Sequence, residues 1–172
     1  MSNQNSKNKK QNNYAFIDSQ NLNLAICDLG WKLDWIKFRK YLKDKFDISK
    51  AFLFIGKIKK HQNIYDFLKK HNFEVTFKPT IIQDGKPKGN CDAELVLHSA
   101  KIEYDNYDKA MIISGDGDFY CLIQFLKENN KLYKIGIPNK KKYSSLLKKF
   151  RHPFFLYLSD LKDKLEYKKT KK

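Results

Sequence analysis

The stretch Ala110-Met-Ile-Ile-Ser-Gly-Asp-Gly-Asp-Phe119 contains the pattern that decides the fold. A short apolar run stops at a turn rich in Gly and Asp, and a segment with helical spacing of apolar residues (Phe119, Leu122, Ile123 and Leu126) follows the turn. The run is typical of a buried strand, and the spacing is typical of a helix with one apolar face. The stretch therefore predicts a strand followed by a helix, with acidic side chains in the turn that joins them.

The same alternation of strand and helix patterns extends along most of the chain. Further candidate strands are residues 14–18, 51–55, 73–77, 132–137 and 154–158, and helical spacing marks residues 35–42, 64–68 and 93–100. Buried strands that alternate with helices predict an α/β fold with a mostly parallel central sheet and helices on both faces. Residues 78–90 contain Gly85, Pro87 and Gly89 and are expected to form a surface loop beside the site.

The chain has the size and composition of one folded domain. Its 172 residues are 41% hydrophobic and 15% aromatic, which excludes a disordered chain. We expect a disordered basic arm over residues 1–13, the domain over 14–166 and a Lys-rich tail over 167–172. Three cysteines without C-x-x-C spacing argue against a disulfide framework or a zinc site and are expected to be buried, reduced thiols. With neither a signal peptide nor an apolar run near the ~20 residues of a membrane span, a cytoplasmic location without membrane attachment is expected.

The net charge is strongly positive. The sequence has 35 Lys+Arg against 19 Asp+Glu, a formal charge of +16, which favours a polyanionic partner. A solvated surface stays open as the alternative, because nearly all the cations are Lys and the composition fits an A/T-biased coding sequence. Residues 138–151 contain six cations and no acid. These candidates for contacts to a nucleic-acid backbone are Lys140, Lys141, Lys142, Lys148, Lys149 and Arg151. Tyr120 and Tyr143 could stack on bases, but core packing is the expectation for both.

Acidic side chains follow the predicted strands at the point where each strand ends. Asp18, with Asn21 one helical turn later, follows the first strand, Asp116 and Asp118 follow the strand at 110–113, and Asp92 opens a helix. The carboxyl ends of parallel strands meet at one edge of a sheet, where ligands bind. Clustered carboxylates repel one another unless a cation lies among them. The sequence therefore predicts a site for Mg²⁺ or Mn²⁺, held by Asp18, Asp92, Asp116 and Asp118.

Each of these acids also has a purely structural interpretation. Asp18, Asp118 and either Asp92 or Asn90 could cap the helices that follow them, since Asp and Asn are leading N-cap residues. Glu94 lies about 200° around a regular helix from Asp92, so the two side chains cannot both face the site. We prefer Asp92, and we expect Glu94, His98 and Lys101 to form a solvated face.

Three motifs resemble those of a known family. Phe16-Ile-Asp18-Ser-Gln-Asn21-Leu, Lys88-Gly-Asn-Cys-Asp92 and Ile113-Ser-Gly-Asp116-Gly-Asp118-Phe119, in that order, resemble the NYN domain in its LabA-like branch of the PIN-like nuclease superfamily. The resemblance covers residues 14–138. It implies a PIN-like, Rossmann-like three-layer α/β/α sandwich that binds a divalent metal through clustered Asp residues.

The resemblance also implies an activity. Relatives are ribonucleases, usually endonucleases, and Asp18, Asp92, Asp116 and Asp118 match their acidic metal-site residues, while Asn21 matches a polar residue that orients the metal water or the substrate. Many relatives carry a second acid where this chain has His98, a departure that weakens a second metal position unless Glu94 substitutes.

The function expected from the motifs and the charge is a metal-dependent ribonuclease, an RNA hydrolase of the endonuclease type. Its catalytic residues would be Asp18, Asn21, Asp92, Asp116 and Asp118, and its partner would be single-stranded or structured RNA. DNA as the substrate and a homodimer stay open. The competing hypothesis is a nucleic-acid-binding or regulatory module that has little turnover and acts with a protein partner.

Overall fold

The structure is a computed structural model that describes residues 11–79, 81–83, 86–88 and 91–169. Most of the predicted arm and the end of the predicted tail (residues 1–10 and 170–172) lie outside the described residues. The strands in the described part of the chain are β1 (Asn13–Asp18), β2 (Ile48–Lys57), β3 (Glu74–Pro79), β4 (Ile81–Gln83), β5 (Lys86–Lys88), β6 (Lys109–Ile113), β7 (Leu132–Ile137) and β8 (Phe155–Tyr157). The longer helices are α1 (Ser19–Asp28), α2 (Trp35–Phe46), α3 (Gln62–Lys70), α4 (Asp92–Leu97) and α5 (Tyr120–Glu128).

Six strands form one parallel sheet with the order β3-β2-β1-β6-β7-β8. From β1 the chain builds outward to β2 and β3 on one side, and from β6 it builds outward to β7 and β8 on the other. The boundary between β1 and β6 is therefore the point where the strand order reverses. In open α/β sheets the crevice at such a point, outside the carboxyl ends of the strands, is where ligands bind.

Helices cover both faces of this sheet, as the alternating pattern predicted. Alternate residues of β1 face opposite ways, so Ala15 and Ile17 pack with α1 and α2, whereas Tyr14 and Phe16 pack with α4 and α5. Both clusters consist of buried apolar side chains that pack against the central sheet. The predicted three-layer α/β/α sandwich is confirmed.

The predicted surface loop at 78–90 is wrong in part, because it contains two short strands. β4 and β5 pair antiparallel, with Ile81 opposite Lys88 and Gln83 opposite Lys86. The two residues between these strands in the sequence are Asp84 and Gly85, a dipeptide typical of tight hairpins. The Lys- and Pro-rich composition of the segment concealed this signal.

The prediction that the three cysteines are buried fails. Cys27 and Cys121 are exposed and Cys91 is half-buried, so the thiols are free but not core residues.

In the described part of the chain, no helix is both long enough and apolar enough to span a bilayer.

Candidate metal centre

The site begins with Asp18, the last residue of β1. Asp18 is also the N-cap of α1, because its Oδ1 accepts a hydrogen bond from the Asn21 backbone N–H at 3.1 Å. Its Oδ2 accepts a hydrogen bond from the Ser114 hydroxyl, also at 3.1 Å. Asp18 therefore both caps α1 and lies at the candidate site, because its carboxylate links the end of β1 to the first residue after β6.

The turn after β6 presents the next two acids. The Ser114 Oγ accepts a hydrogen bond from the Asp116 N–H at 3.2 Å, and Asp116 Oδ1 accepts one from the Asp118 N–H at 3.0 Å. Asp116 thereby caps a 3₁₀ turn at Gly117–Phe119. The alternative interpretation of Asp118 as a cap is wrong, because Asp116, two residues earlier, caps the 3₁₀ turn and Asp118 is exposed.

Asn21 fixes this turn from the other side. Its Oδ1 accepts a hydrogen bond from the Gly115 N–H at 2.9 Å, across 94 positions of sequence. The amide oxygen of Asn21 therefore holds the backbone of the acidic turn in place. That contact makes Asn21 a residue that positions the turn, and the role implied by the resemblance, orienting water or substrate, stays a prediction.

Three carboxylates come together at the edge of the sheet. They belong to Asp92, Asp116 and Asp118, which are called the acidic cluster below. Each of these residues has one oxygen that lies within 4.8 Å of an oxygen of each of the other two. Asp92 and Asp116 are half-buried and Asp118 is exposed. Oxygen donors at this spacing suit a hard divalent cation such as Mg²⁺ or Mn²⁺, so the residues fit the metal that the sequence predicted.

Asp18 lies beside the acidic cluster and not within that set of three. Burial raises the pKa of its carboxyl, and the charges of Asp92 and Asp116 raise it further, while the hydrogen bonds from Asn21 and Ser114 oppose the rise. The ionisation of Asp18 therefore depends on the charges of two of the clustered carboxylates. A cation among these acids would offset the repulsion that raises the pKa of Asp18.

Asp92 opens α4 without capping it. The N-cap position is Cys91, which makes no side-chain cap bond, and Asn90 lies outside the described residues. Desolvation raises the pKa of the Cys91 thiol to about 11, and Glu94, Asp18 and Asp92 add to this rise. Cys91 is therefore a neutral thiol at the rim of the acidic cluster.

The predicted solvated face on α4 and the helical segment after it (His98–Ile102) is wrong for two of its three residues. Glu94 is half-buried and lies 3.5 Å from the Lys78 ammonium, at the carboxyl end of β3. His98 packs edge-on against the Phe54 ring, with the ring centroids 5.3 Å apart, and among the described residues no hydrogen-bond partner reaches its Nδ1. Only Lys101 is exposed as expected. Glu94 thus makes an ion pair beside the site and does not join the acidic cluster.

The segment that carries the predicted cations is joined to the acidic turn. The Ser144 N–H donates to the Gly115 carbonyl at 2.9 Å, which joins the basic segment (residues 138–151) to the turn. Lys140 and Lys142 form exposed ion pairs with Asp160 and Asp28. Such surface pairs contribute little, typically up to ~1 kcal/mol, so they leave both ammonium groups able to contact a phosphate.

The other four cations of the segment have different surroundings. Lys141 and Lys148 are exposed. The Lys149 ammonium lies 4.0 Å from the centroid of the Tyr120 ring, and Arg151 donates a hydrogen bond to the Tyr143 hydroxyl at 3.1 Å. Tyr120 is therefore covered by a lysine of its own chain and also packs against Phe150, in agreement with the core packing expected for it.

Sequence reasoning missed two features of the site. Ser114 bridges Asp18 and Asp116, and its position as the first residue after β6 was the available signal. The second is the half-buried aromatic cluster beside the acidic turn, in which Tyr143, already named as able to stack on bases, packs with Phe155 and Tyr157. No local pattern could reveal it, because it joins a loop to an edge strand.

Comparison with known proteins agrees with this geometry. The family model of the NYN domain matches residues 14–157. The chain belongs to the NYN domain family. This family points to the PIN-like nuclease superfamily, whose members generally use divalent metals; the LabA-like branch stays a prediction.

A solved structure shows the same fold as this NYN domain. It is a protein of unknown function from Vibrio parahaemolyticus, with a TM-score of 0.73 and 23% sequence identity over 92% of this chain and 98% of that one. At this identity the likeness concerns the fold alone. No curated protein matched the chain in the comparison.

Proposed function

We propose that this NYN domain is a divalent-metal-dependent ribonuclease of the endonuclease type that hydrolyses RNA phosphodiester bonds. The observation that carries the proposal is the acidic cluster at the strand-order reversal, directly beside a segment with six cations and no acid. Carboxylates and cations at one edge suit a reaction in which the acids hold a metal and the cations hold the phosphate backbone.

The acidic cluster would hold Mg²⁺ or Mn²⁺, with Asp18 beside it. When bound, such an ion activates water and stabilises the charge that develops on the phosphodiester oxygens. Ser114 and Asn21 keep the acids in place through their hydrogen bonds to Asp18 and to the Gly115 backbone. The exposed ammonium groups of Lys141 and Lys148 would contact phosphates on either side of the bond that is cut.

One observation favours a second candidate, a nucleic-acid-binding module with little turnover. His98 stands where many relatives carry a second acid, and its ring packs against Phe54. Glu94 does not replace that acid, because it pairs with Lys78. The carboxylates that remain suit one metal better than two, so the same fold could bind RNA and cut it poorly.

The test uses labelled single-stranded and structured RNA, with the matched deoxy strand in parallel, in Mn²⁺ and in EDTA. We expect cleavage of RNA in Mn²⁺ only, and a loss of about hundredfold or more in Asp116→Asn. Asp163→Asn is the matched control, since Asp163 is exposed on a short C-terminal turn. Undiminished cleavage by Asp116→Asn would refute the site. Binding without cleavage in any metal would favour the binding module.

A further inference from the structure

The aromatic cluster beside the acidic turn has a defined geometry. The ring centroids of Tyr143 and Phe155 are 5.6 Å apart, those of Phe155 and Tyr157 are 5.7 Å apart, and those of Tyr143 and Tyr157 are 6.5 Å apart. All three side chains are half-buried, so each keeps part of its surface in solvent. These residues, called the aromatic platform below, form one continuous group of rings.

The platform lies at the same edge of the sheet as the acidic cluster. Tyr157 is the last residue of β8 and pairs with Ile137, the last residue of β7. Tyr143 is next to the acidic turn, because a methyl group on Gly115 would lie 3.2 Å from the Tyr143 Cβ. A chain bound with one phosphate at the acidic cluster would therefore extend over or beside these rings.

Cations lie beside the Tyr143 end of the platform. Arg151 is exposed and donates to the Tyr143 hydroxyl, and the positive charges of Arg151 and Lys148 both act on that hydroxyl. Aromatic rings bordered by a guanidinium and an ammonium group match a nucleotide, whose base is a flat ring and whose phosphate is an anion. An apolar partner would gain nothing from the cations, and an acidic partner would gain little from the rings.

We propose that the aromatic platform is a nucleobase-stacking subsite that binds a base of single-stranded RNA next to the phosphate at the acidic cluster. This inference rests on the proposed function for its substrate class. It adds that the substrate must be unpaired at this position, because a base within a duplex has no free face to stack on Tyr143 or Tyr157.

The first test measures binding in EDTA, where the proposed hydrolysis does not occur. The probe is a short single-stranded RNA with 2-aminopurine placed at each position in turn. We expect one position to be quenched by the wild-type protein, and Tyr143→Leu and Tyr157→Leu to abolish this quenching and weaken binding about tenfold. Tyr143→Phe keeps the ring and should bind within about twofold of wild type. Tyr167→Leu, at an exposed tyrosine near the C-terminus, is the matched control.

The second test changes the RNA, and its first arm uses only the wild-type protein. An abasic site at the quenched position should weaken binding of the wild-type protein about tenfold. In Tyr143→Leu the abasic site should weaken binding little further, because the two changes remove the same contact between base and ring. The platform is refuted if no position is quenched, if the abasic site costs nothing, or if the two losses multiply. Cleavage in Mn²⁺ is scored separately: cleavage without stacking refutes the platform alone, and stacking without cleavage refutes the hydrolysis alone.

Discussion

At the scale of single residues, Asp18 has two roles that oppose each other energetically. As the N-cap of α1 it stabilises the helix, but burial and the nearby charges of Asp92 and Asp116 disfavour its ionised form. The folded protein therefore holds the Asp18 proton more tightly than the unfolded chain does. The resulting stabilisation is complete below the ordinary pKa of 3.8 and is lost as the pH rises through the higher folded value.

The raised pKa of Asp18 gives a prediction for the stability of Asp18→Asn in EDTA. Asn keeps the oxygen that accepts from the Asn21 N–H and carries no charge at any pH. Relative to wild type, the variant should gain stability as the pH rises from about 4 towards 7, by on the order of 1 kcal/mol or about 2–4 °C in Tm. Thermal unfolding at a series of pH values measures this, with Asp163→Asn as the control. A difference that is constant or shrinks as the pH rises would contradict the raised pKa.

The acids of the site were predictable one by one, but their partners were not. Asp18, Asp116 and Asp118 follow from the rule that ligands bind at the carboxyl ends of parallel strands, and Asp92 was added because it opens a helix. The ion pair between Lys78 and Glu94 could not be predicted, because it depends on where β3 and α4 lie relative to each other. Helical periodicity fixes the angle between Asp92 and Glu94 but does not reveal what covers each side chain.

At the scale of elements, the acidic turn and the basic segment fit tightly against each other. Gly117 is buried, and a methyl group there would overlap the Ser144 Oγ and lie 3.2 Å from Leu146 Cδ1. The absence of a side chain at Gly117 therefore lets the two segments approach. This close contact holds the segment that carries the cations against the turn that carries Asp116 and Asp118.

We therefore expect Gly117→Ala to lower the free energy of unfolding by about 1–3 kcal/mol, as overpacked sites do. Ser144→Ala removes the overlapping oxygen, so the double variant should lose less stability than the sum of the two single losses. Urea denaturation of the four proteins measures this coupling. Strictly additive losses of stability would show that positions 117 and 144 are not in steric contact.

The elements themselves could be predicted where their pattern was regular. β7 has the predicted bounds, and β1 and β6 each begin one residue early. Helix α3 was predicted with Ile64, Phe67 and Leu68 as its apolar face, but only Leu68 of these is buried. Ile64 and Phe67 are 50% and 40% exposed, and Tyr65 is buried with Leu68. The Tyr65 hydroxyl accepts from the Ile58 N–H and donates to the Gly56 carbonyl, so hydrogen bonds to the loop after β2 set the rotation of the helix.

At the scale of the whole molecule, the net charge of +16 matters less than where the charges lie. The exposed Lys141 and Lys148 lie in the segment beside the acidic turn, at the carboxyl edge of the sheet. Lys43 and Lys45 are also exposed but lie at the end of α2, which leads into the start of β2 at the opposite edge. Replacing either pair by Gln changes the net charge equally, from +16 to 16 − 2 = +14.

The two double variants have the same net charge, so a comparison of them separates local phosphate contacts from the effect of the overall charge. Each phosphate contact to a single strand adds about 0.7 to the slope of log K against log salt concentration. Lys141→Gln with Lys148→Gln should therefore reduce the slope for single-stranded RNA by about 1.4, while Lys43→Gln with Lys45→Gln should leave it nearly unchanged. Titrations at several salt concentrations in EDTA measure both. If the two double variants lose the same slope, the cations act only through the overall field, and the basic segment is not the surface that holds the RNA backbone.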